Sequence, residues 1–290
     1  MPLVSVIVLT FNEELNLPHC LESLRGLDAQ AIVVDSGSSD RTQEIARRFG
    51  AEVVEHSFET QAKQINWALD SLSFSSPWIM RLDADERLSD ELRAEMMTVL
   101  PTAPDSVVGF LVKRRVYFWG HWIRHGGYYP TWLLRIWRAG NGRVEDVWMD
   151  EHVEVFGGEV RRLRSDIIDE NRKGLAFWIE KHNGFSDREV KAMLAGGGTT
   201  TARLTGAQAA RRRFLKRSLY DRSPRILRAF LYWALRYFLL LGFLDGKAGF
   251  VFHFLQGLWY RVVVDAKLCE LERVEKGVRA DAEDKVQAQL

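Results

Sequence analysis

Val4-Ser5-Val6-Ile7-Val8-Leu9-Thr10-Phe11-Asn12-Glu13-Glu14 opens with a short apolar run that stops at polar residues. The run is mostly β-branched and not alternating, so it reads as a strand covered on both faces. Working outward, a helical pattern follows from about Leu15 to Arg25, with Leu17, Leu21 and Leu24 on one face. Ala31-Ile32-Val33-Val34-Asp35 is a second buried strand, and Ser39-Asp40 is expected to cap a helix running to Phe49. Glu52 to Glu55 is a thinner strand, Gln61 to Leu72 is helical, and Trp78 to Leu82 is a further strand ending in Asp83-Ala84-Asp85-Glu86. Strands alternating with helices of about ten residues predict an α/β domain, a mostly parallel Rossmann-like sheet with helices on both faces.

In such sheets ligands bind beyond the carboxyl ends of the strands. Polar clusters stand at those ends: Thr10 to Glu13, Asp35 to Asp40, and Asp83 to Asp85. The first strand is not followed by GxGxxG, which argues against a dinucleotide oxidoreductase, and the chain lacks the GxxxxGKS/T of a P-loop NTPase. Carboxylates at two strand ends repel phosphate unless a divalent cation lies between. The pattern therefore points to a nucleotide site built around Mg²⁺ or Mn²⁺. Glu86, Asp90 and Glu91 read as solvated helix-start charges, and Asp40 as a helix cap.

Among 290 residues, 47% are hydrophobic and 27% charged, which describes a globular chain and excludes wholesale disorder. The net charge of +1 conceals a division. Residues 1–110 hold 8 Lys/Arg and 18 Asp/Glu, a net of −10, and the remaining residues hold 32 and 21, a net of +11. Two cysteines, Cys20 and Cys269, suit a reducing cytosol and cannot build a disulfide scaffold or zinc cage. The run Val4 to Thr10 is too short for a signal peptide and lacks a basic lead-in.

From Gly109 to Ile168 the texture changes. Phe110 to Phe118 and Leu133 to Arg138 read as strands around an aromatic, glycine-containing loop, Trp119 to Pro130. Aromatic faces interleaved with polar groups suit sugars, although packing explains most rings. His182, in a helix around Leu175 to Leu194, reads as a packing residue. Beyond Gly196-Gly197-Gly198, nine Lys/Arg and one acid lie between Arg203 and Arg228. Two apolar helices follow, Arg225 to Leu241 and about Ala248 to Ala266, separated by Asp245-Gly246. At 100° per residue Arg225, Arg228 and Arg236 share one face of the first. Neither has the roughly 20 apolar residues of a bilayer crossing. A helical hairpin lying on an anionic membrane surface fits best, with packing on protein as the alternative. The adjoining apolar helices and the acidic N-terminal half argue against nucleic acid as the partner of the arginines.

Taken together, Val-Ser-Val-Ile-Val-Leu-Thr-Phe-Asn-Glu-Glu at 4–14, Val-Val-Asp-Ser-Gly-Ser-Ser-Asp-Arg-Thr at 33–42 and Leu-Asp-Ala-Asp-Glu at 82–86 resemble the GT-A glycosyltransferases of family 2. Within them the chain is similar to lipopolysaccharide core β-glucosyltransferases of the WaaE/KdtX type. The resemblance implies a GT-A fold with a C-terminal α-helical hairpin, a nucleotide-sugar donor such as UDP-glucose, and a divalent cation, Mg or Mn. It implies that Thr10 and Glu13 line the nucleotide pocket, that Asp35 contacts base or ribose, and that Asp83 and Asp85 are the DxD pair, Asp85 being the direct metal ligand. Lys63, Gln64 and Asn66 fall where the family sets pocket residues, although on its own Lys63 reads more readily as a surface lysine than as a phosphate contact. Where the family often has Asp-Asp-Gly-Ser, this chain has Asp35-Ser36-Gly37-Ser38.

An inverting transfer also needs a carboxylate that takes the acceptor hydroxyl proton. The resemblance assigns it to the segment Val147 to Val153, with Glu151 as base, Asp150 next, and His152 an orienting or core residue. Arg135 and Arg138 are candidates for the leaving diphosphate or an anionic acceptor, or for ordinary salt bridges. The QxxRW motif of processive polymerases is absent, which favours addition of one sugar. The expected organisation is a nucleotide-sugar-binding half at 1–110, an acceptor-side half at 111–195 and a membrane-associating region at 196–290. The expected protein is cytoplasmic, bound peripherally to the inner face of the cell membrane, and acts on a lipid-linked saccharide of lipopolysaccharide core or another envelope glycan. Transfer to a polyprenyl phosphate, and nucleotide-sugar binding without catalysis, are the alternatives.

Overall fold

The computed structural model describes residues 1–145, 152–194 and 224–287. Its centre is the first apolar run: β1 (Val4–Thr10) lies between β2 (Ala29–Asp35) and β4 (Trp78–Asp83) and runs parallel to both. β3 (Glu52–Glu55) extends the parallel set beyond β2. On the other side the sheet continues through β8 (Thr131–Arg138), β6 (Val107–Phe118), β11 (Glu159–Asp169) and β5 (Glu86–Leu88), giving the order 3-2-1-4-8-6-11-5. β8 is antiparallel to both neighbours and β6 is parallel to β11. A short β7 (His121–Ile123) hairpins onto β6, and β9 (Gly142–Val144) pairs with β10 (Val153–Val155) apart from the main sheet. β6 runs through the expected boundary at 110/111, so both expected halves share one sheet.

Helices cover both faces because the central strands are apolar on both. Val4, Val6, Val8, Met80, Phe110, Val112 and Ile136 face α1 (Leu17–Ser23), α2 (Thr42–Arg48) and α4 (Asp90–Val99). Ile7, Ile32, Ile79 and Trp137 face α3 (Gln61–Ser71). The helices α1 and α2 are each shorter than the periodicity predicts. At α2 the capping residue is Arg41 and makes no side-chain cap. Asp40 instead accepts from the N–H groups of Thr42 and Glu14, at 2.9 and 3.1 Å, tying two loops together.

α5 (Gly174–Leu194) leaves the end of β11 and packs through Val190 on Tyr260, Val264 and Leu268 of the long α8 (Tyr260–Gln287). Between them α6 (Leu227–Ala234) and α7 (Gly246–His253) each pass into a π-helical stretch, at Leu235–Leu239 and Phe254–Trp259. Among the described residues no single helix is long and apolar enough to cross a membrane. One bent pair, Leu227–Leu239 with Gly242–Val274 at 72°, has the length and composition together.

The hairpin is polar inward. Arg228 and Asp265 form a buried ion pair, and Arg225 makes two bonds to Glu272 at 2.6 and 2.5 Å. Arg236 donates to the Gly126 carbonyl at 2.7 Å and stacks 3.9 Å from the Tyr128 ring centre. The arginine stripe therefore faces protein. The opposite side exposes Leu227, Phe230, Leu231, Phe238, Leu239 and Leu244, Leu239 by 75%.

Candidate active site

Parallel pairing sets Thr10 opposite Asp35 and Leu9 opposite Asp83, so the polar strand ends meet at one edge, where the sheet order reverses around β1. This is the crevice in which open α/β sheets bind ligands. Asp35 is fully buried and accepts from five donors: Thr10 Oγ1 at 2.8 Å, Ser38 Oγ at 2.6 Å, the Gly37 and Ser38 N–H groups, and Gln43 Nε2. Burial alone would raise its carboxyl, but the Ser38, Gln43 and Thr10 donors outweigh it and hold it below the ordinary value. Its bonds to Gly37 and Ser38 shape the loop into a turn that Gly37 enters at φ +82°, a conformation suited to glycine. Gln64, at the start of α3, donates to Ser36 Oγ at 2.7 Å and steadies the same loop.

Asp83 stands between two guanidinium groups. Arg81 Nε is 3.3 Å from one carboxylate oxygen and Arg135 Nη2 3.1 Å from the other. Burial would raise the Asp83 carboxyl, yet these arginines depress it well below the carboxylate range. Arg135, a candidate for the diphosphate, an anionic acceptor or an ordinary salt bridge, is buried and makes salt bridges, bonding Glu86 as well at 2.5 Å. Glu86 is correspondingly not a solvated helix-start charge. It lies in β5, accepts from the Asp83 N–H at 3.1 Å, and burial lifts it to about 7. An Asp-x-Asp-Glu string gives no hint of this, because the partner lies 49 positions away on β8.

Asp85 accepts from Asn171 Nδ2 at 2.9 Å and faces Lys181 Nζ at 3.6 Å. Glu13 accepts from Lys173 at 2.7 Å and from Asn16 at 2.8 Å, and burial raises its carboxyl. Asn171, Lys173 and Lys181 were invisible to motif reading. They arrive because β11 ends at the ligand edge and α5 folds back across it, with Lys173, Phe177 and Lys181 at helical i, i+4 spacing. Lys173 lies 4.3 Å from the Phe177 ring centre and Lys181 6.0 Å. Burial would lower Lys181, but Asp85, Asp169, Glu13 and Asp83 raise it. Asp169, 3.4 Å from Arg114, is lifted by burial to about 6. Among the described residues no three His, Cys, Asp or Glu side chains converge as an all-protein metal cage. The donors available, carboxylate oxygens of Asp83 and Asp85 at the ligand edge, are nonetheless the hard ligands that Mg²⁺ accepts in ones and twos when substrate phosphates supply the rest.

Several expected residues lie elsewhere. Arg138 stacks 4.5 Å from the Trp78 ring centre and donates to the carbonyls of Val107, Ala103 and Pro104, so it braces the opposite end of the sheet. Lys63 is a half-exposed lysine paired with Glu59 one helical turn earlier, and its neighbour Asn66 fastens β9 by two bonds to Val144. His152 stands 3.5 Å from Glu145 at the mouth of β10. Asp150 and Glu151 lie outside the described residues, as does the linker around Gly196–Gly198. His182 stacks on Trp178 at 3.5 Å, receives or gives a bond at the Trp178 carbonyl, and is lowered by burial to about 4, the behaviour of a packed ring.

The sequence model described as "Glycosyl transferase family 2" matches residues 5–148. The lipopolysaccharide core biosynthesis glycosyltransferase LpsC of Rhizobium meliloti (strain 1021) is 34% identical over 152 residues, 49% of this chain and 53% of that protein. The succinoglycan biosynthesis protein ExoA of the same strain is 26% identical, over 52% of this chain and 56% of its own. The chain thus spans about half the length of these two relatives. A solved structure of glucosyl-3-phosphoglycerate synthase from Mycobacterium tuberculosis in complex with Mn²⁺ and UDP-glucose is 23% identical at a TM-score of 0.32, covering 40% of this chain and 44% of that one. A Rossmann-like, mostly parallel sheet, its ligand edge carrying Asp83 and Asp85, agrees with the matched family: over residues 5–148 this chain belongs to glycosyl transferase family 2.

Proposed function

We propose that the protein moves one hexose from a nucleoside diphosphate sugar, a UDP-hexose such as UDP-glucose, to a lipid-linked saccharide at an anionic membrane surface, with inversion at the anomeric centre. The observation that carries this is the meeting of Thr10, Asp35, Asp83 and Asp85 at one reversal point of the sheet. Asp85 is the proposed ligand of a Mg²⁺ or Mn²⁺ ion, and Asp83, already fixed by Arg81 and Arg135, orients the same edge. Bound there, the cation would neutralise the diphosphate and ease its departure. Thr10, Glu13 and the Asp35 turn form the nucleoside side of the pocket. Since Asp35 spends its oxygens on five protein donors, its contribution to the base includes holding the Ser36–Ser38 backbone. Lys173 and Lys181 keep the acidic edge from repelling a diphosphate. Glu151, or Asp150, is the proposed base that takes the acceptor proton, a reading that rests on the sequence.

The membrane part rests on polarity. A hairpin whose arginines turn inward and whose leucines and phenylalanines turn outward is apolar where a water-facing helix would be polar. Arg225 and Arg228 being paired with protein, the seven Lys/Arg from Arg203 to Arg222 supply the attraction to anionic lipid. The name of LpsC supports lipopolysaccharide core, or another cell-envelope glycan, as the acceptor's setting. A cytoplasmic, inner-face location follows from this reading.

The direct test is transfer of labelled hexose from UDP-hexose to membrane-embedded acceptor. Asp85→Ala, folded as judged by circular dichroism, is expected to lose about 100-fold or more, the scale of several kcal/mol of charge stabilisation. The Glu151→Gln, Asp150→Asn double variant is expected to lose transfer while still binding UDP. Full activity in that variant would transfer the reading to an acceptor that is already an anion.

A further inference from the structure

On the α3 side of the sheet, beyond the DxD edge, β6, β7, β8 and β11 bring cations and aromatic rings into one connected patch. At its centre is Asp166, 2% exposed, which accepts from Arg115 at 2.6 Å and from the Tyr129 hydroxyl at 3.0 Å and lies 3.6 Å from Lys113. Arg115 lies 4.8 Å from the Trp122 ring centre, and Arg124 4.5 Å from the same indole. Lys113 stands 5.9 Å from the Trp132 ring centre, and Arg162 4.8 Å from it. Trp122 meets Tyr129 edge-on at 5.0 Å.

The charge does not balance. Four cations share one carboxylate, and Arg124 and Arg162, both exposed, have no carboxylate partner among the described residues. The two guanidinium groups sit over half-buried indoles while remaining exposed, which limits their freedom and leaves their N–H donors open to a ligand. A fixed guanidinium matches a phosphate or carboxylate with two parallel bonds, and a flat ring offers its face to the C–H side of a pyranose. The location fits as well. Trp132 is three residues before Arg135, the partner of Asp83, so about 10 Å of strand separates this patch from the donor edge, the span of one or two sugar rings.

We propose that this face is the acceptor subsite and that it selects a saccharide bearing a negative charge. This rests on the transferase reading above, and it replaces Arg135 and Arg138 as the acceptor's anion holders with Arg124 and Arg162. The subsite is tied to the hairpin. Asp245 accepts from the His125 N–H at 2.9 Å, the Gly126 N–H donates to Leu240 O at 2.8 Å, and Arg236 donates to Gly126 O at 2.7 Å. The loop carrying Arg124 and Tyr129 is therefore clamped by the element proposed to rest on lipid, which holds the subsite near the surface where a lipid-linked acceptor emerges.

The full-length protein is titrated with three short saccharides of equal length, one phosphorylated, one carrying a uronic acid and one neutral, read by tryptophan fluorescence. Inorganic phosphate serves as a fourth ligand, and UDP with Mn²⁺ is titrated separately. At least one charged saccharide is expected to bind about tenfold or more tighter than the neutral one, and which of them does so names the anion. Arg124→Ala with Arg162→Ala is expected to erase that preference, and the paired Arg→Lys variant to restore part of it. Equal affinity for charged and neutral saccharides, an unchanged preference in the alanine variant, or inorganic phosphate binding as tightly as the saccharide would overturn the proposal. If UDP with Mn²⁺ fails to bind while the charge preference persists, the donor reading falls and the anion subsite stands.

Discussion

Asp35 shows how one carboxylate organises a loop rather than waiting for a ligand. With five donors converging on it, Asp35→Ala leaves buried donors unsatisfied and is expected to cost about 2–4 kcal/mol in chemical denaturation, with weakened UDP binding. Arg138→Ala is the contrasting case. It removes a stack on Trp78 and three carbonyl bonds far from the ligand edge, so about 1–2 kcal/mol of stability should go while UDP affinity stays constant. Motif reading put Asp83 and Asp85 at the end of a buried strand, where the structure has them, because that position is a local property. It missed the burial of Glu86 and left Arg135 open between an anion contact and a salt bridge, because an ion pair across strands depends on how those strands are placed, which is not written in either strand alone. Asn171, Lys173 and Lys181 escaped for the same reason, their relevance arising only from where β11 ends.

At the scale of elements, the junction between the β7–β8 loop and the hairpin is set by close packing. A Cβ on Gly126, at φ +67°, would lie 2.1 Å from His253 Cε1. Gly126→Ala therefore forces either ring or loop to move, and is expected to cost about 2–4 kcal/mol and detach the hairpin from the loop, seen as faster hydrogen exchange in α6 and α7. The junction also carries a pH dependence. Burial would raise Asp245, but the His253 and His125 rings and the His125 and Arg124 N–H groups hold it at about 2. A carboxyl depressed on folding stabilises above its unfolded value near 3.9 and loses that contribution as pH falls towards about 2. Acid titration of hairpin docking should thus show a transition between about pH 4 and pH 2 that Asp245→Asn removes. β1 to β4, β6, β8 and α3 were legible from apolar runs and periodicity, whereas the short β5, β7, β9 and β10 and the charged β11 were not. The π-helical stretches were not, since nothing in Leu235–Leu239 or Phe254–Trp259 departs from a helical pattern.

For the whole molecule, the near-neutral net charge is the sum of two opposed regions. The acidic one supplies the carboxylates of the ligand edge, and the basic one frames a hairpin whose exposed side is apolar. Flotation with vesicles containing anionic lipid is expected to carry the protein at low salt and less of it at high salt. Leu231→Glu with Phe238→Glu, on the outward face, should reduce flotation at either salt concentration, because the apolar contact is lost. The fold class was readable from the alternation of strands and helices. The inward turn of Arg228 and Arg236 was not, because a helical wheel gives the face but not what it faces. The account stands or falls on the donor edge, and isothermal titration of UDP with and without Mn²⁺ tests it most directly. It predicts one-site, metal-dependent binding that Asp85→Ala weakens about 100-fold or more. Binding indifferent to metal, or an unchanged affinity in the variant, would contradict it.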